Sequence, residues 1–256
     1  MLHSILLVVF SIMVFAFIVS IIFHRNDIVD FFWGLGFIAI AVSSLSLGGV
    51  HHWTQWLVTG LVVIWGTRLC SHIFIRLIQS SEDKRYGAWR KEWTAEAPGY
   101  FYTRSLLQVF LLQGFLMLFV MVPVILFNAS TDATLSPMFV IGGAIWLFGF
   151  IFEAVADHQL DQYLSRATRP RVMKTGLWKY SRHPNYFGEV VQWWGVWLMT
   201  IMTVTGWIGI VGPITITGLI LFVSGIPLLE DHFKDSKTYQ KYKMETSAFI
   251  PLKPFK

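Results

Sequence analysis

Long apolar runs constrain this chain more than any other feature of its sequence. One helical crossing of a bilayer takes about 20 consecutive, predominantly apolar residues. Runs of about that length cover residues 2–23, 28–47, 53–78, 106–127, 138–160, 186–204 and 207–228. The sequence therefore predicts an all-α, polytopic membrane protein with about seven transmembrane helices.

The composition agrees with a membrane class. Of the 256 residues, 55% are hydrophobic and 14% are charged, whereas soluble globular domains carry about 25% charged residues. No linker, low-complexity tract or repeat divides the chain, so we expect a single transmembrane domain over residues 1–256. Cys70 is the only cysteine, which excludes an intramolecular disulfide and a cysteine-based metal site.

Positive charge alternates between the two sides of the predicted helices. All 20 lysines and arginines fall in or beside alternate connections, and the loops near His51, Asn128 and Thr205 have none. Cytoplasmic loops of membrane proteins are enriched in these residues, so we expect the N-terminus outside and the C-terminus in the cytosol. Because orientation explains the net charge of +5, we expect membrane lipids and no nucleic acid as partners.

Several ionisable residues lie inside or at the ends of predicted spans, where they are costly and often functional. His72 lies between Arg68 and Arg76 on one stripe of the third span, and Glu153 and Asp157 share a stripe of the fifth. The alternative is that such residues pair with one another near the surface or extend to it. The histidines show no closely spaced ligand set, so no metal is expected.

A polar stretch, residues 178–197, opens the sixth span. Pro184 stands where a helix would begin, because proline loses nothing in the first turn. Asn185 and Glu189, four residues apart, project from one face, and Gln192 continues that stripe into the membrane. The unpaired N–H groups of the first turn would attract an anion. We therefore expect a candidate site at the cytosolic surface.

A nucleotide at this site would need a binding mode without a nucleotide-binding fold. The sequence has no glycine-rich loop after a strand, which excludes Rossmann and P-loop sites. The basic run from Arg166 to Arg182, with Asp157 before it and Asn185 after, offers cations for phosphates and a carboxylate for ribose hydroxyls. The same arginines also serve the predicted orientation.

Three segments together resemble a known family. They are G-L-W-K-Y-S-R-H-P-N-Y-F-G-E at 176–189, F-E-A-V-A-D at 152–157 and the closing segment 239–251. They are similar to the C-terminal half of the steroid 5-alpha-reductase superfamily, and more closely to its uncharacterised bacterial membrane branch. The clear resemblance covers the 105 residues from Phe152 on, and the N-terminal half matches mainly in its helix pattern.

This resemblance implies a seven-helix enzyme of a bacterial inner membrane that takes NADPH from the cytosol. It would reduce a carbon–carbon double bond conjugated to a carbonyl in a lipophilic substrate such as a steroid, an isoprenoid or another lipid. Residues 1–150 would form the lipid-substrate side, and residues 151–256 the cofactor-binding half.

The resemblance also implies roles for individual residues. Asn185 and Glu189 would contact the nicotinamide end, and Asp157 the ribose and phosphate portion. The cofactor-binding candidates are Glu153, Asp157, Arg166, Arg171, Arg182, His183, Asn185, Glu189 and His232. The catalytic candidates are Glu189 together with three side chains that would polarise the carbonyl, namely His72, Tyr180 and Tyr186.

The Arg-His-Pro-x-Tyr-x-Gly element at 182–188 also resembles that of isoprenylcysteine carboxyl methyltransferases, which bind S-adenosylmethionine there. In that family an arginine and paired glutamates follow near the last helix, and Glu230 with Asp231 falls at a comparable place, without the preceding arginine. Asn185 and Glu189 favour the reductase. A third hypothesis is a non-catalytic lipid-binding membrane protein.

The chain departs from the reductase pattern in two places. After the last helix, residues 227–233 read P-L-L-E-D-H-F, leaving His232 and Lys234 as unaligned substitutes for the family's Arg, His and Tyr. The substrate-facing tyrosine of the family's third helix has no counterpart beside His72.

Overall fold

The computed structural model describes residues 1–97 and 99–254, and Lys256, one of the predicted cytosolic cations, lies outside them. The described part of the chain is helical and contains no strand. Its α-helices are α1 Leu2–Ile22, α2 Ile28–Leu47, α3 Trp53–Gln79, α4 Lys84–Glu96, α5 Tyr100–Arg104, α6 Leu112–Val120, α7 Val122–Ala129, α8 Pro137–Leu164, α9 Pro184–Thr200, α10 Val211–Gly218, α11 Ile226–His232 and α12 Lys237–Glu245. A π-helical turn, Ser105–Leu111, joins α5 to α6.

Within these ranges, six helical stretches are long and apolar enough to cross a membrane. They are Leu2–Ile22, Ile28–Leu47, Trp53–Gln79, Tyr100–Val120, Pro137–Leu164 and Gly206–His232. The remaining predicted span, 186–204, coincides with α9, which has 17 residues. The prediction of an all-α, polytopic membrane protein is confirmed.

Helix starts follow local chemistry that the sequence displays. Ser136 precedes α8, and its hydroxyl accepts a hydrogen bond from the backbone N–H of Phe139 at 3.1 Å. Asp83 caps α4 by accepting from the N–H of Arg85 at 2.9 Å. Such caps satisfy N–H groups that have no partner inside the helix.

The chain divides into two compact units, each described by itself. The first comprises Met1–Thr134 with Thr203–Gly209, and the second comprises Leu135–Met202 with the chain from Ile210 onward. In the first unit α2 packs against α1 and α3. The carboxylate of Asp30 pairs with Arg76 at 3.0 Å, so Arg76 has an acidic partner, as the pairing alternative predicts. The domain division at residue 150 stays a prediction.

The second unit is built on two antiparallel helices, α8 and α9, whose backbones touch at glycines. A Cβ on Gly142 would lie 2.6 Å from the carbonyl oxygen of Gly195, and one on Gly149 would lie 2.7 Å from that of Gly188. The glycines recur after seven residues on both helices, which keeps them on one face. Small residues at such positions allow membrane helices to approach closely.

Candidate functional site

The polar segment before α9 is held by the end of the chain. Gly176, which adopts φ +60°, begins a short 3-10 turn that leads into residues 178–183. The backbone N–H of Arg182 donates to the carbonyl of Ser247 at 2.8 Å. Next to it, the hydroxyl of Ser181 donates to the carbonyl of Phe249 at 2.8 Å. The C-terminal segment therefore lies along the segment 178–183.

Ionic contacts centred on Glu230 adjoin this segment. We call Glu230, Arg182, His183 and Lys243 the Glu230 cluster. Arg182 contacts one oxygen of Glu230 through Nε at 2.7 Å and Nη2 at 2.6 Å. His183 Nε2 lies 3.4 Å from the same oxygen, and Lys243 Nζ lies 2.7 Å from the other. Arg182 Nη1 donates to the carbonyls of Lys243 and Thr246. Arg182 and His183 are only 8% and 4% exposed. Both side chains are therefore buried inside the second unit, where they contact Glu230.

Two tyrosines of α12 border the Glu230 cluster. Burial, and next the negative charge of Glu230, raise the pKa of Tyr239 to about 12. Burial raises the pKa of Tyr242 as well, and its hydroxyl donates to the carbonyl of Trp178. Both phenols stay protonated at neutral pH, so Tyr242 remains a donor that ties α12 to the segment 178–183.

The first turn of α9 carries aromatic contacts. The ring of His183 stacks on that of Tyr186, with centroids 5.6 Å apart and planes 11° apart. Phe187 packs edge-on against Phe152 of α8 and Phe249 of the C-terminal segment. These contacts hold the start of α9 against α8 and the end of the chain.

Further along α9, a buried pair of polar side chains joins it to α8. Gln192 is 1% exposed and Glu153 is 4% exposed. Gln192 Nε2 donates to the Glu153 carboxylate and, at 3.3 Å, to the carbonyl of Gly188. Half-buried Asn185 and Glu189 continue the stripe toward the start of the helix. The structure thus forms a polar stripe, Asn185, Glu189 and Gln192, that ends on Glu153.

The predicted site residues fall into separate groups. The second unit contains the following on or directly before α8 and α9: Glu153, Asp157, Arg182, His183, Asn185, Tyr186 and Glu189. Tyr180 is 41% exposed, and Arg166, Arg171 and His232 are exposed. Among the described residues, no hydrogen bond or ion pair joins Arg166, Arg171 or His232 to the Glu230 cluster. His72 lies on α3 of the first unit.

Two members of the Glu230 cluster were not among the predicted site residues, namely Glu230 and Lys243. A signal for Glu230 existed, because a carboxylate directly after the last apolar run is costly without a partner. Nothing in the local pattern pairs it with Arg182, which is 48 residues away in the chain. In the described ranges, no three or more His, Cys, Asp or Glu residues are grouped so as to hold a metal ion.

The polar stripe and the exposed arginines determine which kind of ligand the site suits. The stripe offers amide and carboxylate groups in a half-buried setting, which suits an uncharged polar ligand with hydroxyl or amide groups. The exposed arginines between α8 and α9 suit phosphates. Glu153, Asp157, Asn185, Glu189 and Gln192 therefore fit the ribose and base of a dinucleotide, and Arg166 and Arg171 fit its phosphates.

Comparisons with known proteins agree with the resemblance seen in the sequence. The chain is 33% identical over 79 residues to 3-oxo-5-alpha-steroid 4-dehydrogenase 1 of Bos taurus, covering 30% of each chain. It is 34% identical over 67 residues to the Homo sapiens protein of that name, covering 26% of each chain. It is also 35% identical over 106 residues to methanethiol S-methyltransferase 1 of Bradyrhizobium diazoefficiens, covering 39% of this chain and 34% of that protein.

The aligned regions thus span about a third or less of these relatives' lengths. No solved structure matches the chain significantly. The predicted relationship to steroid 5-alpha-reductases and to the methyltransferase type is confirmed at modest identity. The family model described as protein of unknown function DUF1295 matches residues 16–246, and this chain belongs to the DUF1295 family.

Proposed function

We propose that this protein is a membrane-embedded, NADPH-dependent reductase of a double bond conjugated to a carbonyl in a lipophilic substrate. The observation that carries the proposal is the half-buried pair Asn185 and Glu189, whose stripe ends on the buried Gln192 and Glu153. Asn185 and Glu189 are the positions that separate the reductase pattern from the methyltransferase pattern. The similarity to 3-oxo-5-alpha-steroid 4-dehydrogenases supports the same choice.

NADPH, when bound, supplies a hydride. Asn185 and Glu189 would hold its nicotinamide end, Asp157 its ribose, and the exposed Arg166 and Arg171 its phosphates. Guanidinium groups suit phosphates because their fork of N–H donors matches the oxygens. The proposed cofactor side is the cytosolic face of a bacterial inner membrane.

The Glu230 cluster has a positioning role in this proposal. Arg182 and His183 directly precede Pro184, so their contacts to Glu230 determine where α9 begins and how its first turn is oriented. Phe187 packs against Phe152 of α8 beside that turn. Partial burial of this kind strengthens polar contacts, because water screens them less.

A hydroxyl or imidazole donor would stabilise the charge that develops on the substrate carbonyl oxygen. Tyr186 is the proposed donor nearest to the stripe in the chain, one residue from Asn185. Tyr180 and His72 remain proposed alternatives. Substitution of each by phenylalanine separates them, because only loss of the true donor would lower kcat while NADPH binding is retained.

Binding of NADPH by purified protein in detergent tests the proposal. We expect the cofactor's fluorescence to change on binding, and Asn185→Ala and Glu189→Gln to weaken binding about tenfold each, the effect of one lost hydrogen bond of ordinary strength. The matched control is Glu92→Gln, an exposed carboxylate on α4, which should bind as wild type does. Consumption of NADPH in the presence of a lipophilic enone completes the test.

The second candidate is an S-adenosylmethionine-dependent methyltransferase. It is favoured by Glu230, which contacts both Arg182 and His183 of the Arg-His-Pro element, and by the similarity to methanethiol S-methyltransferase 1. Thermal stabilisation of the purified protein by S-adenosylmethionine and not by NADPH would select it over the reductase. A well-folded protein that binds neither would be the third candidate, a non-catalytic lipid-binding protein.

A further inference from the structure

A buried polar atom on α9, Oε1 of Gln192, has no hydrogen-bond partner among the described residues. Gln192 is 1% exposed, and both contacts of its amide nitrogen are made within the second unit, to Glu153 and to the Gly188 carbonyl. Its oxygen Oε1 is buried and accepts no hydrogen bond from the described residues. A buried acceptor without a donor is costly, because it has lost its hydrogen bond to water and gained none in return.

The groups around the Gln192 amide determine whether its oxygen or its nitrogen is the atom without a partner. If the Gln192 amide were turned over, its oxygen would face the Glu153 carboxylate and the Gly188 carbonyl, so that three acceptors would meet. Donation from Nε2 to both groups is therefore the favoured arrangement. The unpartnered end is an acceptor, and a ligand that satisfies it must carry an N–H or O–H group.

The position of Gln192 along α9 further restricts which ligand group can donate to its oxygen. It lies three residues beyond Glu189 and seven beyond Asn185, which is about 10 Å along α9 from Asn185 at a rise of 1.5 Å per residue. The proposed function brings two groups to this stripe, the enone of the substrate and the reduced nicotinamide. An enone carbonyl is an acceptor only, whereas the carboxamide of nicotinamide carries two N–H donors.

We infer that Gln192 Oε1 is the acceptor for the carboxamide N–H of the nicotinamide ring. This inference rests on the proposed reductase function and adds Gln192 to its binding residues. Glu153 acts through Gln192, because it fixes the orientation of the amide and so the direction in which Oε1 points. The hydrogen bond would determine which edge of the ring faces the crossing of α8 and α9.

A comparison of two cofactors in two proteins tests this inference. The reduced 3-acetylpyridine analogue of NADPH replaces the carboxamide by a methyl ketone and lacks the N–H donors. We expect wild type to bind NADPH about tenfold more tightly than the analogue, the ratio that one buried hydrogen bond supports. Gln192→Met, which keeps the length of the side chain and removes the acceptor, should reduce that ratio to about one. The matched control, Gln162→Met at an exposed position of α8, should keep the wild-type ratio.

Gln192→Asn is a second variant in case the methionine variant fails to fold. It keeps the amide but withdraws the acceptor by one methylene, so the ratio should fall there as well. A wild-type ratio near one, or a ratio of tenfold retained in either Gln192 variant, would overturn the inference while leaving NADPH binding and the proposed function intact. Absence of any NADPH binding by wild type would overturn both.

Discussion

At the scale of single residues, the most informative contact is that of Glu230 with Arg182, because it assigns a structural partner to an arginine of the Arg-His-Pro element. The carboxylate is surrounded by Arg182, His183 and Lys243 within 3.4 Å. Arg182 also donates to two backbone carbonyls. A buried charge is stable only when it is paired and hydrogen-bonded, so these residues depend on one another.

We expect Glu230→Ala to lower the free energy of unfolding by about 3 kcal/mol, because it leaves a buried guanidinium without its counter-ion. Denaturant titration in detergent measures this change. The neighbouring Asp231→Ala is the matched control, since the Asp231 side chain is 70% exposed and its pair with Lys234 is on the surface. Equal stability of the two variants would contradict the structural role of the cluster.

Because of Tyr239, we expect the free energy of unfolding to depend on pH in the alkaline range. Burial, and next the charge of Glu230, raise its pKa to about 12, while an unfolded tyrosine has a pKa of about 10. The folded state therefore holds the proton more tightly, and its stabilising effect is complete below pH 10 and is lost as the pH rises to 12. Tyr242 acts in the same direction.

We expect the free energy of unfolding to fall between pH 10 and pH 12 by at most about 1.4 kcal/mol per pH unit for each such group. Tyr239→Phe should make this fall shallower, and Tyr180→Phe, at a side chain that is 41% exposed, should leave it unchanged. Unfolding measured at pH 9, 10 and 11 decides the question. An unaltered pH dependence in Tyr239→Phe would show that another group is responsible.

At the scale of elements, the glycine contacts of α8 and α9 determine how close the two helices lie. Gly142 meets Gly195, and Gly149 meets Gly188, at distances that leave no room for a side chain. The same approach brings Gln192 to Glu153. The geometry of the polar stripe is therefore a consequence of backbone contact between these two helices.

Two adjacent glycines allow a controlled test of this contact. A Cβ on Gly142 would lie 2.6 Å from backbone atoms of α9, whereas one on Gly143 would meet only the end of Met199 at 4.0 Å. We expect Gly142→Ala to destabilise the protein by about 1–3 kcal/mol, as overpacking does, and to weaken NADPH binding. Gly143→Ala should be neutral or slightly stabilising because alanine favours helix. Thermal unfolding of both variants in one detergent compares them, and similar losses would contradict the close contact.

At the scale of the whole molecule, the distribution of lysine and arginine predicts the orientation in the membrane. None of these residues lies in the loop around His51, and six lie in the chain after residue 233. The positive-inside rule therefore predicts that the loop lies outside and the tail in the cytosol. The proposed access of NADPH from the cytosol depends on this orientation.

Single-cysteine labelling tests the orientation. In a Cys70→Ala parent, which has no other cysteine, we expect a membrane-impermeant maleimide to label His51→Cys in intact cells. Asp235→Cys should react only after the membrane is permeabilised. Both positions are exposed in the structure, so a difference in labelling reports the side of the membrane. The reverse pattern would place the candidate site outside the cell and contradict the proposed use of cytosolic NADPH.

The sequence by itself determined the class of the protein and the approximate places of its helices. An apolar run of about 20 residues is a local feature whose insertion depends on its own composition. The predicted spans therefore agree with the helices to within a few residues, except that the span predicted at 106–127 corresponds to Tyr100–Val120 in the structure. The start of α9 at Pro184 was also predictable from a local feature, because proline loses no hydrogen bond in the first turn of a helix.

Only the tertiary structure decided which polar residues meet. Arg182 and Glu230 are 48 residues apart, and Gln192 and Glu153 are 39 apart. No local pattern determines such pairs, because they form when helices pack and buried charges must find partners. Packing likewise assigned Arg182 and His183 to the Glu230 cluster and left Oε1 of Gln192 without a donor in the part of the chain that the structure describes.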